Sequence, residues 1–250
     1  MSTDVMEGSS TERTQRTYAR VAGFLFLWLI ITGLAGTLTI SRIKGSGTFV
    51  ETAKRVAASE LLYRVALSSE LIETLSALLL AFALYVTLKP VDKLLAQLAM
   101  YWRLGESLLG CVGMIFGFMR LRLYASQPAG TLGADQAQAL VGLTRDAGSA
   151  AYNIGVMCFS IGSLLFFYLF FRSRYIPRII SAAGVFASVV VTIMCFGNLI
   201  FPEYGATLQY GWAPMAIAEV ATGIWLMLFA VKTQQSNRPA VIQVGGVSAC

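Results

Sequence analysis

Long apolar stretches separated by short polar connections run through most of this 250-residue chain. Each stretch holds about twenty residues or more, enough at a helical rise of about 1.5 Å per residue to cross a bilayer core of about 30 Å. The pattern therefore predicts six transmembrane helices, at Val21–Ile40, Leu62–Leu88, Leu94–Met119, Ala150–Phe171, Ile179–Phe201 and Ala213–Val231. The predicted fold class is all-α, a polytopic membrane helical bundle.

The polar segments between and around these stretches carry their own signals. Residues 1–17 and 233–250 have the polar composition of disordered ends, which leaves 18–232 as one six-span domain. Thr48 and Glu51 fit a capping box for a short helix over Phe49–Ser59. Asp92 is placed to cap the third span. A separate surface helix is expected over Ala134–Thr144, after a break at Pro128–Gly130.

Composition excludes several function classes. Only 13% of the residues are charged, about half the fraction typical of soluble domains. The basic residues are dispersed among the connections and are not interleaved with aromatics, so no nucleic-acid partner is expected. The chain has no histidine and its four cysteines form no CxxC pair, so we predict neither a metal nor another cofactor.

The distribution of basic residues predicts the orientation of the spans. An even number of spans places both termini on the same side. Lys and Arg are dense in the N-terminal segment and in the short connections around Lys89–Lys93 and Arg172–Arg178, and sparser in the longer connections opposite. Because cytoplasmic connections carry the excess of basic residues, both termini are predicted to be cytoplasmic.

Several sequence segments in combination resemble one family of membrane proteins. They are Arg20–Leu27 (RVAGFLFL), Leu62–Arg64 (LYR), Arg103–Leu104 (RL) and Phe171–Arg178 (FRSRYIPR). Together they resemble the uncharacterised bacterial membrane proteins grouped as domain-of-unknown-function family 4386. The resemblance covers roughly residues 20–232 and implies a six-span protein of the bacterial inner membrane. It implies no activity and no catalytic residues.

Charged residues inside the predicted spans are the candidate functional site. A charge at the centre of a bilayer costs about 2.5–3.5 kcal/mol, so such residues usually face a partner or a cavity. The helical rise places four of them at a shared depth, between about 14 and 21 Å from the cytoplasmic ends. Two more lie nearer the opposite surface. The candidate set is Glu73, Arg103, Glu106 and Glu219, with Arg64 and Glu70 above them.

The charge balance of this set suggests what it does. Four carboxylates face two guanidinium groups, and unpaired buried carboxylates bind a proton or attract a cation. The other interpretation is a polar network that only orders the bundle. Gly110, Gly113 and Gly117 continue the same face of the third span as Arg103 and Glu106, and favour close helix packing.

Two functions follow from these interpretations. The first is a proton- or cation-linked carrier of a small solute; the second is a non-transporting sensor or accessory subunit whose polar layer is structural. A deep cavity reaching the glutamates favours the carrier, and a dry, fully paired core favours the accessory subunit. No catalytic motif is present, so we predict that the protein is not an enzyme. An enzyme that acts on lipid-like substrates is the third and least favoured class. Nothing in the sequence indicates an oligomer.

Overall fold

The computed structural model describes residues 2–126 and 133–231, and over these ranges the chain is an all-α bundle. Two short 3₁₀ turns, at Pro202–Tyr204 and Gln209–Gly211, flank the shortest helix. The helices are α1 (Ser2–Lys44), α2 (Phe49–Ala58), α3 (Glu60–Leu88), α4 (Lys93–Ala125), α5 (Ala134–Ser173), α6 (Arg178–Ile200), α7 (Gly205–Leu208) and α8 (Trp212–Phe229). The predicted fold class is confirmed.

Six helices within the described ranges are long and apolar enough to cross a membrane. Their membrane candidates are Glu12–Lys44, Glu60–Leu88, Lys93–Ala125, Ala134–Ser173, Arg178–Ile200 and Gln209–Phe229. These ranges contain or closely follow the six stretches that hydropathy predicts. The protein is therefore a multi-pass membrane protein.

The long helices form a closed ring. In chain order, α1 packs on α3, α3 on α4, α4 on α5, α5 on α6 and α6 on α8, and α8 returns to pack on α1. At the closing contact Gly23 and Gly223 bring the two backbones together, with no side chain of either between them. The ring gives each long helix one face toward the interior, where side chains from several helices can meet.

The short helix α2 lies across one end of the ring, which we call the α2 end. The predicted capping box is present: the Thr48 hydroxyl accepts from the Glu51 amide, and the Glu51 carboxylate accepts from the Thr48 amide at 2.9 Å. Ala53 and Val56 on the buried face of α2 join an apolar cluster with Tyr63 and Tyr124. The other end, where the described termini lie, we call the terminus end.

The helix bounds differ from the prediction in two places. α5 is continuous from Ala134 to Ser173, so the surface helix and the fourth span are one element. Helix continues through Gly148 because that glycine seats the Arg120 and Phe116 side chains of α4. α1 begins at Ser2, and Gln15 is buried with its amide donating to the Thr87 carbonyl at 2.7 Å.

Gln15 lies within residues 1–17, whose polar composition predicts disorder. Its buried hydrogen bond joins this one residue to the packed bundle. The predicted tail 233–250 and the break at Pro128–Gly130 lie outside the described residues.

Apolar packing is divided between two separate clusters. The larger one fills the ring toward the terminus end and includes Leu29, Leu80 and Phe170. The smaller one lies under α2 and includes Tyr63 and Leu121. On α3 the charged positions Glu70 and Glu73 fall between the members of these two clusters. The fold thus places a polar layer between two apolar ends.

Candidate functional site

Arg103 of α4 lies at the centre of the polar layer. Only 4% of its side chain is exposed. Its guanidinium donates to the Ser163 hydroxyl at 3.3 Å, and its Cζ atom lies 4.6 Å from the centre of the Phe159 ring, in cation–π range. Phe159 in turn packs against Trp212 at the start of α8, with ring centres 5.6 Å apart. Arg103 therefore links α4 to α5, and through Phe159 to α8.

Arg103 and Glu106 form the ion pair of this layer. The Arg103 Nε atom lies 3.0 Å from Glu106 Oε2, one helical turn away. The two atoms are close, but their orientation does not make a hydrogen bond, and neither atom has another hydrogen-bond partner among the described residues. The contact is thus electrostatic, and both groups retain unused hydrogen-bonding capacity.

Two more glutamates from other helices surround this pair. Glu73 of α3 is within electrostatic range of Arg103 and Glu106, and Glu219 of α8 is within range of Arg103 and Glu73. Among the described residues neither Glu73 nor Glu219 has a salt bridge. The structure therefore brings together the four residues that helical rise places at one depth, with one guanidinium for three carboxylates.

Glycines of α1 make room for the glutamates of α3. The Cγ atom of Glu73 lies over Gly33, and a Cβ added at Gly36 would approach the Cγ atom of Glu70 to 2.6 Å. Thr37 then donates to Glu70 Oε1 at 3.1 Å. The small-residue face of the first span thus seats the stems of both glutamates, and so positions their carboxylates.

The polar layer borders a space inside the ring. Many protein atoms surround Glu106, yet 22% of its side chain is exposed. Tyr152 of α5 is 56% exposed, although its hydroxyl is within electrostatic range of Glu73 of α3 and Glu106 of α4. Exposed surface that faces glutamates of two other helices indicates a space on the inner side of these helices. Tyr152 is not among the residues that the sequence predicts for this site, because a tyrosine in an apolar span carries no distinguishing local signal.

The ring is filled on the terminus side of Arg103. Four phenylalanines of α1 and α5, together with Leu84 and Ser163, line a cavity of about 10 Å³ beside the guanidinium, room for about one water molecule. The phenylalanines, which we call the aromatic plug, are Phe26, Phe166, Phe167 and Phe170. The interior space is therefore blocked toward the terminus end.

The structure does not bring Arg64 into the polar layer. Arg64 donates to Glu60 at 2.6 Å at the start of α3, and its side chain is 47% exposed. The sequence spacing of four residues predicts this pair. The cations in electrostatic range of Glu70 are instead Lys44 and Arg120, which come from the ends of α1 and α4.

Glycines also line the contact between α4 and α5. Gly148, Gly155 and Gly162 of α5 recur every seven residues and contact α4 along its length. A Cβ added at Gly162 would lie 2.9 Å from Arg103 Cγ. This heptad spacing keeps one face toward the partner helix. The repeat is visible in the sequence and could have predicted the seam that seats Arg103.

The polar layer does not have the geometry of a metal site. Within the part of the chain that the structure describes, no three His, Cys, Asp or Glu side chains come close enough to share a metal ion. The glutamates are instead distributed around the guanidinium on separate helices. A single carboxylate suffices to hold a proton, so proton binding is compatible with this spread.

The fold and the layer first define a class, a multi-pass membrane protein whose helices close a ring around half-buried carboxylates. Within this class, residues 21–230 match the family described as "Domain of unknown function (DUF4386)". The match covers most of the chain, so the protein belongs to this family, as the resemblance in sequence predicts. No curated protein and no solved structure matches the chain.

Proposed function

We propose that this protein is a proton-linked carrier of a small solute in the bacterial cytoplasmic membrane. One observation supports this proposal above the others. Glu73, Glu106 and Glu219, from three different helices, share Arg103 beside an interior space. Three carboxylates with one guanidinium leave two negative charges uncompensated if all are ionised, and an excess of this kind in a half-buried site is relieved by binding protons.

The division of the ring into open and closed parts supports a carrier in particular. A carrier exposes its site to one side of the membrane at a time. The aromatic plug blocks the ring beside Arg103, while Glu106 in the layer and Tyr152 toward the α2 end keep exposed surface. In this proposal the plug separates to open the second side, and proton binding by the glutamates accompanies that change.

Proton movement in reconstituted vesicles tests this proposal. The purified protein is placed in vesicles of phosphatidylethanolamine and phosphatidylglycerol that contain a pH-sensitive dye. Separate pools of amino acids, sugars and short carboxylates are then added outside. We expect one pool to change the internal pH faster than in protein-free vesicles. The triple variant Glu73→Gln, Glu106→Gln, Glu219→Gln should lose this change.

The matched control is Glu203→Gln, which neutralises an exposed carboxylate in the α6–α8 connection. It should behave like the wild type. Identical traces from the wild type, the triple variant and empty vesicles with every pool would contradict the carrier proposal.

A non-transporting sensor or accessory subunit is the second candidate. The observation in its favour is that Arg103 already contacts Glu106, Ser163 and Phe159 within the bundle. In that case the layer mainly fixes helix packing. The triple Gln variant would then change thermal stability in detergent, whereas the wild-type protein would move no protons in vesicles.

A further inference from the structure

The α2 end of the ring carries positive charge that its own carboxylates do not balance. Lys44 of α1 and Arg120 of α4 are within electrostatic range of each other. Among the described residues, Glu70 is the carboxylate within electrostatic range of both Lys44 and Arg120. Arg145 also acts on Lys44 from the rim, where it pairs with its neighbour Asp146 at 3.2 Å. Like charges held together in this way stabilise a bound anion.

Arg120 is the residue of this group with an unsatisfied hydrogen-bond donor. Its Nε atom is buried and has no hydrogen-bond partner among the described residues. One end of its guanidinium lies beside Gly148, where an added Cβ would come within 3.3 Å. Glu70 does not satisfy it, because the two side chains form no ion pair among the described residues. A buried, unpaired donor is destabilising, and a guanidinium is best satisfied by an oxoanion that accepts two of its N–H groups.

Neighbouring aromatic side chains add hydroxyl donors to this group of cations and cover it on one side. The Tyr63 and Tyr124 hydroxyls are within electrostatic range of Arg120, and the Lys44 ammonium lies 6.0 Å from the centre of the Tyr63 ring. Phe49 of α2 packs on the Tyr124 ring with centres 5.7 Å apart. Helix α2 thus covers a group of cations and hydroxyls and limits their contact with water.

We propose that Arg120 and Lys44 bind the phosphate group of an anionic ligand at the α2 end. Phosphate offers several acceptor oxygens. Its negative charge also offsets the positive charge of Lys44 and Arg120 that Glu70 leaves unbalanced. The same chemistry is available from a lipid headgroup and from free phosphate. This site shares only Glu70 with the polar layer and does not depend on proton-linked transport.

Two binding measurements on the purified full-length chain test the proposal and separate the sources. Inorganic phosphate is titrated by calorimetry into protein held in nanodiscs of phosphatidylcholine alone. Phosphatidylglycerol retained from detergent is counted by native mass spectrometry. We expect the wild type to bind at least one of the two. Arg120→Gln should weaken that binding at least tenfold and Lys44→Gln several-fold.

Two further variants give the result its direction. Glu70→Gln removes the competing carboxylate, so it should tighten binding several-fold, which a purely structural Arg120 would not explain. Arg122→Gln removes the same charge from an exposed position two residues along α4, and should leave binding unchanged. Each variant is first checked by circular dichroism, and Arg120→Lys with Lys44→Gln replaces Arg120→Gln if the latter does not fold.

Binding of phosphatidylglycerol alone would identify a lipid headgroup site, and binding of inorganic phosphate would identify a site for a soluble ligand. Both outcomes support the proposal. Wild-type protein that binds neither, or equal affinities for Arg120→Gln and Arg122→Gln, would overturn it. Because no proton movement is measured, these outcomes are independent of the carrier experiment.

Discussion

Arg103 determines how much uncompensated charge the interior of the ring holds. It lies near Glu73, Glu106 and Glu219, but among the described residues it forms an ion pair with Glu106 alone. A buried charge that loses its partner is far more destabilising than the intact pair is stabilising. The stability of the bundle should therefore depend on Arg103 and Glu106 as a pair.

Replacing Arg103 with methionine tests this dependence. Arg103→Met keeps an unbranched apolar stem but leaves Glu106 without its cation, so we expect a loss of about 3 kcal/mol in the free energy of unfolding. Adding Glu106→Gln removes the isolated charge and should restore part of that loss. Unfolding in mixed micelles of sodium dodecyl sulfate and maltoside, followed by circular dichroism, measures both variants.

Arg122→Met is the control for this cycle, because Arg122 is exposed on the same helix. It should change stability by less than about 0.5 kcal/mol. Equal stability of the Arg103→Met single variant and the double variant would show that the pair is not coupled.

The sequence predicted the residues of the layer by depth, but not all of their neighbours. Depth follows from the rise per residue, so Glu73, Arg103 and Glu219 could be aligned without a structure. Which cation faces Glu70 depends on how the helices are rotated about their axes. Lys44 is the last residue of α1 and Arg120 lies in the last two turns of α4, and both fall outside the spans that hydropathy predicts. The spacing of four residues predicts that Arg64 pairs with Glu60, and the structure contains this ion pair.

Glycines determine how closely the helices of this bundle approach. The hydrophobic effect does not drive helices together within a bilayer, because lipid tails are as apolar as the side chains. Small residues that allow close backbone contact therefore supply much of the packing. Gly23 and Gly223 do this where α1 and α8 close the ring, and Gly162 does it where α5 receives Arg103. We expect these contacts to tolerate no added methyl group.

Alanine at Gly23 tests the closing contact. A Cβ there would lie 2.7 Å from the Gly223 carbonyl oxygen and 2.7 Å from the Met227 amide nitrogen, both backbone atoms that cannot swing aside. Gly23→Ala should therefore force α1 and α8 apart and lower the free energy of unfolding by about 1–3 kcal/mol. The transition in mixed micelles measures it.

Gly142→Ala is the matched control for this substitution. Nothing lies within 4 Å of a Cβ built at Gly142, and the residue is inside α5. Alanine favours helix over glycine, so this variant should be unchanged or up to about 1 kcal/mol more stable. Similar losses for Gly23→Ala and Gly142→Ala would contradict a special role for the closing contact.

The element boundaries show where local signals are sufficient. The capping box at Thr48 and the Asp92 cap, which accepts from the Leu95 amide at 3.1 Å, are local hydrogen-bond patterns and were predicted. The continuity of α5 was not, because Asp146 and Gly148 favour a break when considered alone. Packing against α4 outweighs that preference. Tertiary contact therefore decides an element whose local propensity is ambiguous.

At the scale of the whole molecule, the ring assigns different roles to its two ends. The terminus end is filled by the aromatic plug, and the α2 end is covered by an amphipathic helix with Lys44 and Arg120 beneath it. The polar layer lies between the two apolar clusters. Access to the glutamates from the terminus end thus requires the plug to move, and which compartment that end faces depends on the orientation of the chain.

The basic connections at the terminus end predict that this end is cytoplasmic. Lys89, Lys93 and Arg172 lie in or beside short turns there, and Arg172 approaches Asp92 of the α3–α4 turn at 3.5 Å. Short connections rich in Lys and Arg are retained in the cytoplasm. Green fluorescent protein fused after Cys250 should therefore fluoresce, and alkaline phosphatase fused there should be inactive. Alkaline phosphatase inserted after Ser126, at the α2 end, should be active. The reverse pattern would place Lys44 and Arg120 in the cytoplasm, so that their anionic ligand would come from inside the cell.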